Sequence, residues 1–424
     1  MNTSILKKIL SIMFFGIAIY ALQNCKKEET NWDKLANKEL LSVMKDYYYW
    51  YDKLPTVDPN SYKDPSTLIE TLRVNPPDRW SYVTTKQELE AYYNSGAYYG
   101  FGFGSSFDQN GKLWIIYVYK SSPFTEKGIN RGWQISSIDG VTPTPENYNQ
   151  IIGESAAGVS KTIVFISPDG NSFTYTFTKF EVAVNSVLFD SVYTISSKKI
   201  AYMVLNTFIT PTIREVNTCF AKFKSENVDE LIVDLRYNGG GSISVSDTVA
   251  SLIGGNAANG GVYTNYVYND KHSDSNKSIF FRSLSNTLTL NRVVFITDRG
   301  TASASELVIN GLKPFMPVCL IGSKTHGKPV GMRSFTYNEV DWAFLPVCFS
   351  LKNANNEGDY FDGLAVNVDA ADDVSKPFGD FREASFAAAL TYLGVSTGKG
   401  EMIKTSLRAK RMTGKGLYEE IGAW

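Results

Sequence analysis

The alternation of apolar and polar residues changes several times along the chain, and each change predicts a different kind of structure. Residues 9–22 form an almost unbroken apolar run that follows the basic pair Lys7 and Lys8. A helix that spans a bilayer needs about 20 apolar residues, so this run is too short for one. A short apolar run behind basic residues is typical of an export signal. We therefore predict a signal peptide over residues 1–24.

Residues 25–95 are predicted to form the N-terminal region of the mature chain, built mainly from helices. Three signals support this prediction: apolar residues at helical spacing over 32–54, the N-cap pair Asp64 and Pro65, and a capping box formed by Thr85 and Glu88.

Glycines and alternating apolar residues then predict a small β-domain over residues 96–184. Apolar runs at 113–119 and 161–166 predict strands, and turn signals at Asn110-Gly111 and at residues 168–170 predict where the chain reverses.

From residue 185 to residue 395, strand-like apolar runs alternate with helical patterns, which predicts an α/β domain. In such sheets, ligands gather where parallel strands end and helices begin, because helix N-termini offer unpaired amides there. The loops that follow three of the strands are therefore the candidate site. The predicted strands are 200–205, 230–235, 292–297 and 318–322, and the predicted helices are 213–226, 242–253 and 303–313.

Length and composition exclude several classes of protein. The 424 residues allow about two to four domains. With 42 Lys and Arg against 43 Asp and Glu, no basic excess draws the chain to nucleic acid. A hydrophobic content of 43% excludes an intrinsically disordered chain. The tail at 396–424 holds six basic and three acidic residues and is either a flexible surface segment or a contact with anionic lipid.

Cysteine positions bear on location and on metal binding. The end of the predicted signal resembles a bacterial lipoprotein signal, in which Cys25 would carry the lipid, although Asn24 replaces the usual small residue. A simple secretory signal with an incidental cysteine is the alternative. The remaining Cys219, Cys319 and Cys348 allow at most one disulfide and have no metal-ligand spacing. Cys319 and Cys348 lie in apolar runs, which favours buried, inert thiols. No metal or cofactor site is predicted.

The β-domain contains three segments that, in their order, resemble a PDZ domain. Glycine loops of this kind let backbone amides converge on an anion, so the terminal carboxylate of a peptide could bind there while the peptide joins the adjacent strand. Alternating Gly and Phe also occurs in ordinary twisted strands. The segments are the loop Gly100, Phe101, Gly102 and Phe103, then 122–132, and 135–140.

Ser303 stands where a buried strand turns into a helix, so the helix dipole would stabilise its alkoxide. Ser303 and Glu306 also spell a capping box, and the local sequence alone favours this structural interpretation. Lys328 follows the end of the next strand, and a glycine-rich loop follows the preceding one. Adjacent parallel strands would bring these groups together.

These residues resemble the serine peptidases of family S41, the tail-specific or carboxyl-terminal processing peptidases. The resemblance spans residues 32–395 and includes the loops at 234–241 and 301–306. It implies a ClpP/crotonase-like α/β catalytic domain with an inserted or preceding PDZ-like β-domain and an N-terminal helical region. It further implies that Ser303 is the nucleophile, Lys328 the general base, the amides of Gly240 and Ala304 the oxyanion hole, and Glu306 a supporting carboxylate.

Two departures from the family pattern leave roles unassigned. The glutamine that is common four residues after the lysine is Met332 here, and the segment at 362–367 lacks the usual Pro and Asp. An ammonium group accepts no proton, so Lys328 can act as a base only if burial keeps its amine neutral. The site must therefore be dry. His326 is the rival base, with activity that would level off above about pH 6.5.

The function hypothesis is a lipid-anchored, extracytoplasmic serine endopeptidase of the cell envelope that captures protein C-termini through its PDZ-like domain. A non-catalytic peptide-binding lipoprotein on the same fold is the first alternative. An acyl-transferring enzyme on a related α/β scaffold is the second.

Overall fold

The computed structural model describes residues 31–337, 339 and 341–395. The predicted signal peptide, Cys25 and the basic tail lie outside the described residues. Within those residues, no helix combines the length and apolarity that a membrane crossing requires.

Three helices and a short strand form the N-terminal region. The predicted N-caps are confirmed, because the Asp64 carboxylate accepts from the Thr67 amide at 2.9 Å and the Thr85 hydroxyl accepts from the Glu88 amide at 3.0 Å. The elements are α1 (Trp32–Tyr47), α2 (Pro65–Leu72), β1 (Tyr82–Thr84) and α3 (Lys86–Glu90), which a π-helical turn extends over Ala91–Ser95.

The first helix is shorter than predicted, because it ends at Tyr47 and Tyr48 is extended with φ −61° and ψ 135°. The Tyr48 hydroxyl is buried and donates to Asp78 at 2.8 Å. The next amide, that of Tyr49, donates to the carbonyl of Val347 at 2.8 Å. These tertiary bonds replace the helical ones, so local periodicity overestimated the length.

Residues 97–183 form a two-stranded and a five-stranded antiparallel sheet around an aromatic core. Strand β2 pairs with β8, and the larger sheet has the order β3-β4-β5-β6-β7. The strands are β2 (Ala97–Gly100), β3 (Phe103–Phe107), β4 (Leu113–Val118), β5 (Gln134–Ile138), β6 (Ser160–Ile166), β7 (Ser172–Thr178) and β8 (Phe180–Ala183), with helix α4 (Tyr148–Ile152) between β5 and β6.

The rest of the described chain is an α/β unit with a six-stranded sheet in the order β20-β15-β14-β11-β10-β9. Strands β10, β11, β14, β15 and β20 run parallel to one another, and β9 is antiparallel to β10. The strands are β9 (Val187–Ile195), β10 (Lys198–Leu205), β11 (Glu230–Asp234), β12 (Val262–Tyr268), β13 (Lys277–Phe280), β14 (Val293–Thr297), β15 (Val318–Gly322), β16 (Val330–Met332), β17 (Phe335–Tyr337), β18 (Trp342–Leu345), β19 (Val347–Lys352) and β20 (Val368–Asp369). The helices are α5 (Thr212–Ser225), α6 (Ile243–Ala258), α7 (Ala304–Leu312) and α8 (Ala384–Tyr392).

Helices cover both faces of the central strands, which explains why these strands are apolar without alternation. Leu231 and Val233 of β11 face the layer formed by α5, α6 and α7. Ile232 of the same strand faces α8 instead. The prediction of an α/β domain with parallel central strands is therefore confirmed.

Two antiparallel sheets connect this α/β unit to the N-terminal region. One has the order β13-β12-β19-β16, and the other has the order β1-β18-β17. Strand β16 begins just after Lys328, and its residues line the same cavity as Lys328, so the first of these sheets forms part of the wall of the candidate site.

The cysteine prediction is also confirmed within the described part of the chain. Cys219, Cys319 and Cys348 are all reduced and buried. Burial raises the pKa of Cys219 and of Cys348 to about 12, so neither thiol is a reactive thiolate near neutral pH.

Candidate active site

Three loops meet at one edge of the central sheet because the strands before them, β11, β14 and β15, are parallel neighbours. We call them the glycine loop (235–242), the serine loop (298–303) and the lysine loop (323–329). The glycine and serine loops are joined by the Ala302 amide, which donates to the carbonyl of Asn238 at 3.1 Å. The serine and lysine loops are joined by the His326 amide, which donates to the carbonyl of Thr301 at 2.9 Å.

Ser303 ends the serine loop and directly precedes α7 in an unusual backbone conformation. Its φ of +54° and ψ of −115° lie in a region that residues other than glycine rarely adopt. Such strain is found where the surrounding structure holds a residue for function, and a strained serine at a strand-to-helix turn is typical of a nucleophile. The Ser303 amide donates to the Glu306 carboxylate at 3.0 Å, so this half of the predicted capping box is also present.

Glu306 is buried and holds the serine and lysine loops together. Burial raises the pKa of Glu306, and hydrogen bonds from both loops lower it in part. Three of its four donors are backbone amides, so Glu306 fixes the geometry of the two loops. The donors are the amides of Ser303 (3.0 Å), Gly327 (2.7 Å) and Lys328 (2.8 Å) and the hydroxyl of Thr325 (2.5 Å).

Ser303 and Lys328 line the same cavity, which has a volume of about 700 Å³. Lys328 is only 3% exposed, and its Nζ lies 3.9 Å from the Met332 sulfur, to which it donates. The structure thus brings the predicted nucleophile and the predicted base into one cavity. Aromatic and aliphatic side chains form much of the remaining wall, among them Leu89, Tyr93, Tyr266, Tyr268, Leu345 and Phe349.

The two amides predicted to form the oxyanion hole differ in their hydrogen bonding in this structure. The amide of Ala304 has no hydrogen-bond acceptor among the described residues, whereas the amide of Gly240 donates to the Asn238 side chain at 2.9 Å. An asparagine side chain commonly accepts from the amide two residues on, and this local turn was missed at the sequence level. Gly239 and Gly241, rather than Gly240, line the cavity.

Gly240 packs so closely on Ser303 that a side chain there would disturb the serine loop. Its φ is +112°, and an added Cβ would lie 2.8 Å from the Ser303 Cβ and 3.1 Å from the Ala304 nitrogen. We expect Gly240→Ala to lower kcat about 100-fold, because small misplacements of reacting groups cost that much. Steady-state kinetics on a peptide substrate measures the change.

Gly111→Ala is the matched control, because Gly111 also has a positive φ of +75° but no atom within 4 Å of an added Cβ. Its strain should lower stability slightly and leave kcat unchanged. Equal kcat values for the two variants would show that contact with Ser303 is unimportant.

The rival base, His326, faces away from the cavity toward the N-terminal region. Its Nε2 accepts a hydrogen bond from the Trp80 indole at 3.0 Å, and its carbonyl accepts one from Arg79 at 3.0 Å. Because an indole nitrogen only donates, Nε2 is unprotonated in this arrangement. His326 is not among the residues that line the cavity with Ser303.

Behind the glycine loop lies a buried charge network that the sequence patterns did not reveal. Arg236 is 1% exposed and is bound by Asp234 at 2.7 Å, Asp372 at 2.8 Å and Glu383 at 2.9 Å. Asp372 also binds Arg131, which follows β4. Burial raises the pKa of Asp372, but the two guanidinium groups outweigh this and hold it below its usual value. The network fixes the start of the glycine loop.

The four residues predicted to bind peptide termini form the connection between β2 and β3 and do not line the cavity. Phe101 is 3% exposed and Phe103 is 1% exposed, and both belong to the aromatic core. The amides of Phe101 and Gly102 have no hydrogen-bond acceptor among the described residues. An added Cβ at Gly102 would lie 2.8 Å from the Ser122 Cβ, so the loop requires glycine at this position, with its φ of +75°. Gly100 pairs with Phe180 at the end of β2.

In the described part of the chain, no group of three or more His, Cys, Asp and Glu side chains is arranged to hold a metal ion.

Comparison with known proteins relates the chain to one class of enzyme. Residues 199–356 match the family described as Peptidase family S41, and residues 36–82 match the Peptidase S41 N-terminal domain. Carboxy-terminal processing protease CtpA of Bacillus subtilis is 22% identical over 372 residues, which cover 87% of this chain and 75% of the relative. CtpB of the same organism is 23% identical over 261 residues, 59% of this chain and 51% of the relative. The chain thus spans about half the length of CtpB.

Solved structures show the same fold. An S41 protease from Bacteroides fragilis has a TM-score of 0.69 at 22% identity and covers 84% of this chain and 97% of its own. The photosystem II D1 C-terminal processing protease has a TM-score of 0.51 at 17% identity, with 80% and 92% covered.

Together, the matches relate this chain to serine-type peptidases. Its relatives are the carboxy-terminal processing proteases of family S41, and it has the mixed α/β fold of that family with an N-terminal helical region.

Proposed function

We propose that the chain is an endopeptidase that cleaves polypeptides with a Ser303–Lys328 dyad. The single observation that carries the proposal is that Ser303, in a strained backbone at the mouth of α7, shares one cavity with the buried Lys328. The comparisons support peptidase activity and do not favour the non-catalytic alternative.

The proposed mechanism follows from these positions. The neutral amine of Lys328 takes the Ser303 proton as the Ser303 oxygen attacks a peptide carbonyl, which becomes an oxyanion. The amide of Ala304 and an amide of the glycine loop bind the oxyanion. Lys328 then gives the proton to the departing amine, which leaves an acyl-enzyme. The Lys328 amine next takes a proton from water as the water oxygen attacks the acyl carbon. It then gives this proton to the Ser303 oxygen, which departs and releases the new C-terminal carboxyl group.

The assignment of the glycine-loop donor needs one change from the sequence-based expectation. The Gly240 amide serves in the hole only after it leaves Asn238, whereas the amides of Gly239 and Gly241 have no acceptor among the described residues. We therefore favour Gly239 or Gly241 as partner of the Ala304 amide.

We further propose that residues 96–184 are a PDZ-like domain that captures protein C-termini, and that the catalytic domain is ClpP/crotonase-like. The unpaired amides of Phe101 and Gly102 support this role, because a terminal carboxylate is the anion such amides would bind. The names of the carboxy-terminal processing relatives agree with it. A lipid anchor on Cys25, with the peptidase held in the cell envelope, completes the proposal.

The test uses the full chain and an unfolded protein with an apolar C-terminus, supplied with either a free or an amidated terminal carboxyl group. Mass spectrometry of the fragments should show internal cleavage of the free form, slower cleavage of the amidated form, and none with Ser303→Ala. Ser244→Ala is the matched control, since Ser244 is an exposed serine that lines the same cavity.

The outcomes separate the candidate functions. Cleavage that survives Ser303→Ala would contradict the dyad. Equal cleavage of the free and amidated substrates would contradict terminal capture while leaving the peptidase intact. Binding without any cleavage would favour the peptide-binding lipoprotein.

A further inference from the structure

Met332 lies at the Lys328 amine, in the position where the resemblance to S41 peptidases expects a glutamine. Its sulfur accepts a hydrogen bond from the Lys328 Nζ at 3.9 Å. Both side chains line the cavity that contains Ser303. This contact links a residue with no assigned role to the group that, in the proposed function, removes the serine proton.

Met332 is held in place by packing on both sides. It ends β16, which pairs with β19, and the register shifts between Gly331 and Met332. A register shift of this kind turns a side chain out of the regular strand alternation. Met332 then packs against two apolar clusters, one that includes Tyr82 and Leu345 and one that includes Trp80 and Val330. The sulfur therefore has a defined position from which to meet the lysine.

The chemistry of a thioether suits a base that must be neutral. Sulfur is a weak acceptor and has no hydrogen to donate, so it can bind an N–H of the amine but never its lone pair. A thioether also carries no charge, so it favours the ammonium form far less than a carboxylate would. An N–H directed to the sulfur leaves the lone pair of the amine available for the serine hydroxyl.

We propose that Met332 is a positioning residue for the reaction: its sulfur orients the Lys328 amine toward Ser303. This proposal rests on the proposed peptidase function. It assigns the third position of the catalytic group to a thioether, which acts through the lysine and does not touch the substrate carbonyl.

Two substitutions separate positioning from packing in the full chain. Met332→Leu keeps an apolar side chain of similar volume and removes the acceptor, whereas Met332→Gln supplies an amide oxygen as a replacement acceptor. The matched control is Met316→Leu, since Met316 is buried in a different cluster and does not line the cavity. The readouts are kcat and KM on a peptide substrate, the rate at which a fluorophosphonate labels Ser303, and the thermal midpoint.

Met332→Leu should lower kcat and the labelling rate about fivefold, which is what one weak hydrogen bond is worth, with KM within about twofold of the parent value. Met332→Gln should recover most of both rates, and Met316→Leu should change neither.

Parent-like kcat and labelling in Met332→Leu would overturn the positioning role. Equal losses in the Leu and Gln variants, in step with a lower thermal midpoint, would show that Met332 only fills space and would also overturn it. A parent chain that neither cleaves peptides nor reacts with the fluorophosphonate would refute the peptidase proposal itself, which the first two results leave intact.

Discussion

Lys328→Ala is expected to lower kcat by about 10⁴-fold or more, because loss of one member of a serine peptidase's catalytic group removes nearly all of its contribution. The fold should survive, since the hydrogen bond from the residue 328 amide to Glu306 uses the backbone and remains possible. Steady-state kinetics and the rate of Ser303 labelling measure the loss, and circular dichroism measures the fold.

The comparison variant is His326→Gln, because His326 belongs to the same loop but its imidazole binds Trp80. We expect its kcat to stay within about twofold of the parent value, because the lost hydrogen bond is to Trp80 and His326 does not line the cavity. If His326→Gln were the inactive variant and Lys328→Ala the active one, histidine would be the base and the dyad would be wrong.

Arg236→Met is expected to destabilise the fold by about 3–5 kcal/mol, since it leaves a buried set of carboxylates without their cation. Asp234 and Glu383 are each at most 1% exposed and both bind Arg236. Urea unfolding followed by circular dichroism gives the change in the free energy of unfolding.

The stability of the parent chain should also depend on pH through Asp372. Because the pKa of Asp372 is lowered in the folded state, its ionised carboxylate stabilises the fold above about pH 3.8. This stabilisation is lost as the pH falls below that value.

Arg382→Met is the control for this measurement. Arg382 binds Asp380, but its side chain is 67% exposed, and exposed ion pairs contribute little. Its urea midpoint should match that of the parent chain. Similar midpoints for Arg236→Met and Arg382→Met would show that the buried network adds nothing to stability.

The elements whose neighbours are close in sequence were predictable. The strand at Val318–Gly322 has the bounds that its apolar run predicted, and the caps at Asp64 and Thr85 form as their side chains indicated. Both follow from local rules, because a strand buried on two faces must be apolar throughout and a cap acts within one helical turn. The first helix was overestimated because its end is set by Asp78 and Val347, which the local pattern does not contain.

The residues of the candidate site also divide into those that the sequence could identify and those that it could not. Motifs at strand ends identified Ser303 and Lys328, and the parallel order of β14 and β15 explains why residues 25 positions apart share a cavity. The bonds of Arg236 to Asp372 and Glu383 span 136 and 147 residues, so no pattern in the sequence could pair them. The Asn238 side chain on the Gly240 amide is local, and the Asn-Gly-Gly sequence could have indicated it.

The Glu306 carboxylate couples the position of the serine loop to that of the lysine loop. Its oxygens accept hydrogen bonds from the Ser303 amide in the serine loop and from the Gly327 and Lys328 amides in the lysine loop. Displacement of the lysine loop would therefore also free the strained backbone at Ser303. A partly assembled copy of the molecule would therefore lose the positions of Ser303 and of Lys328 together.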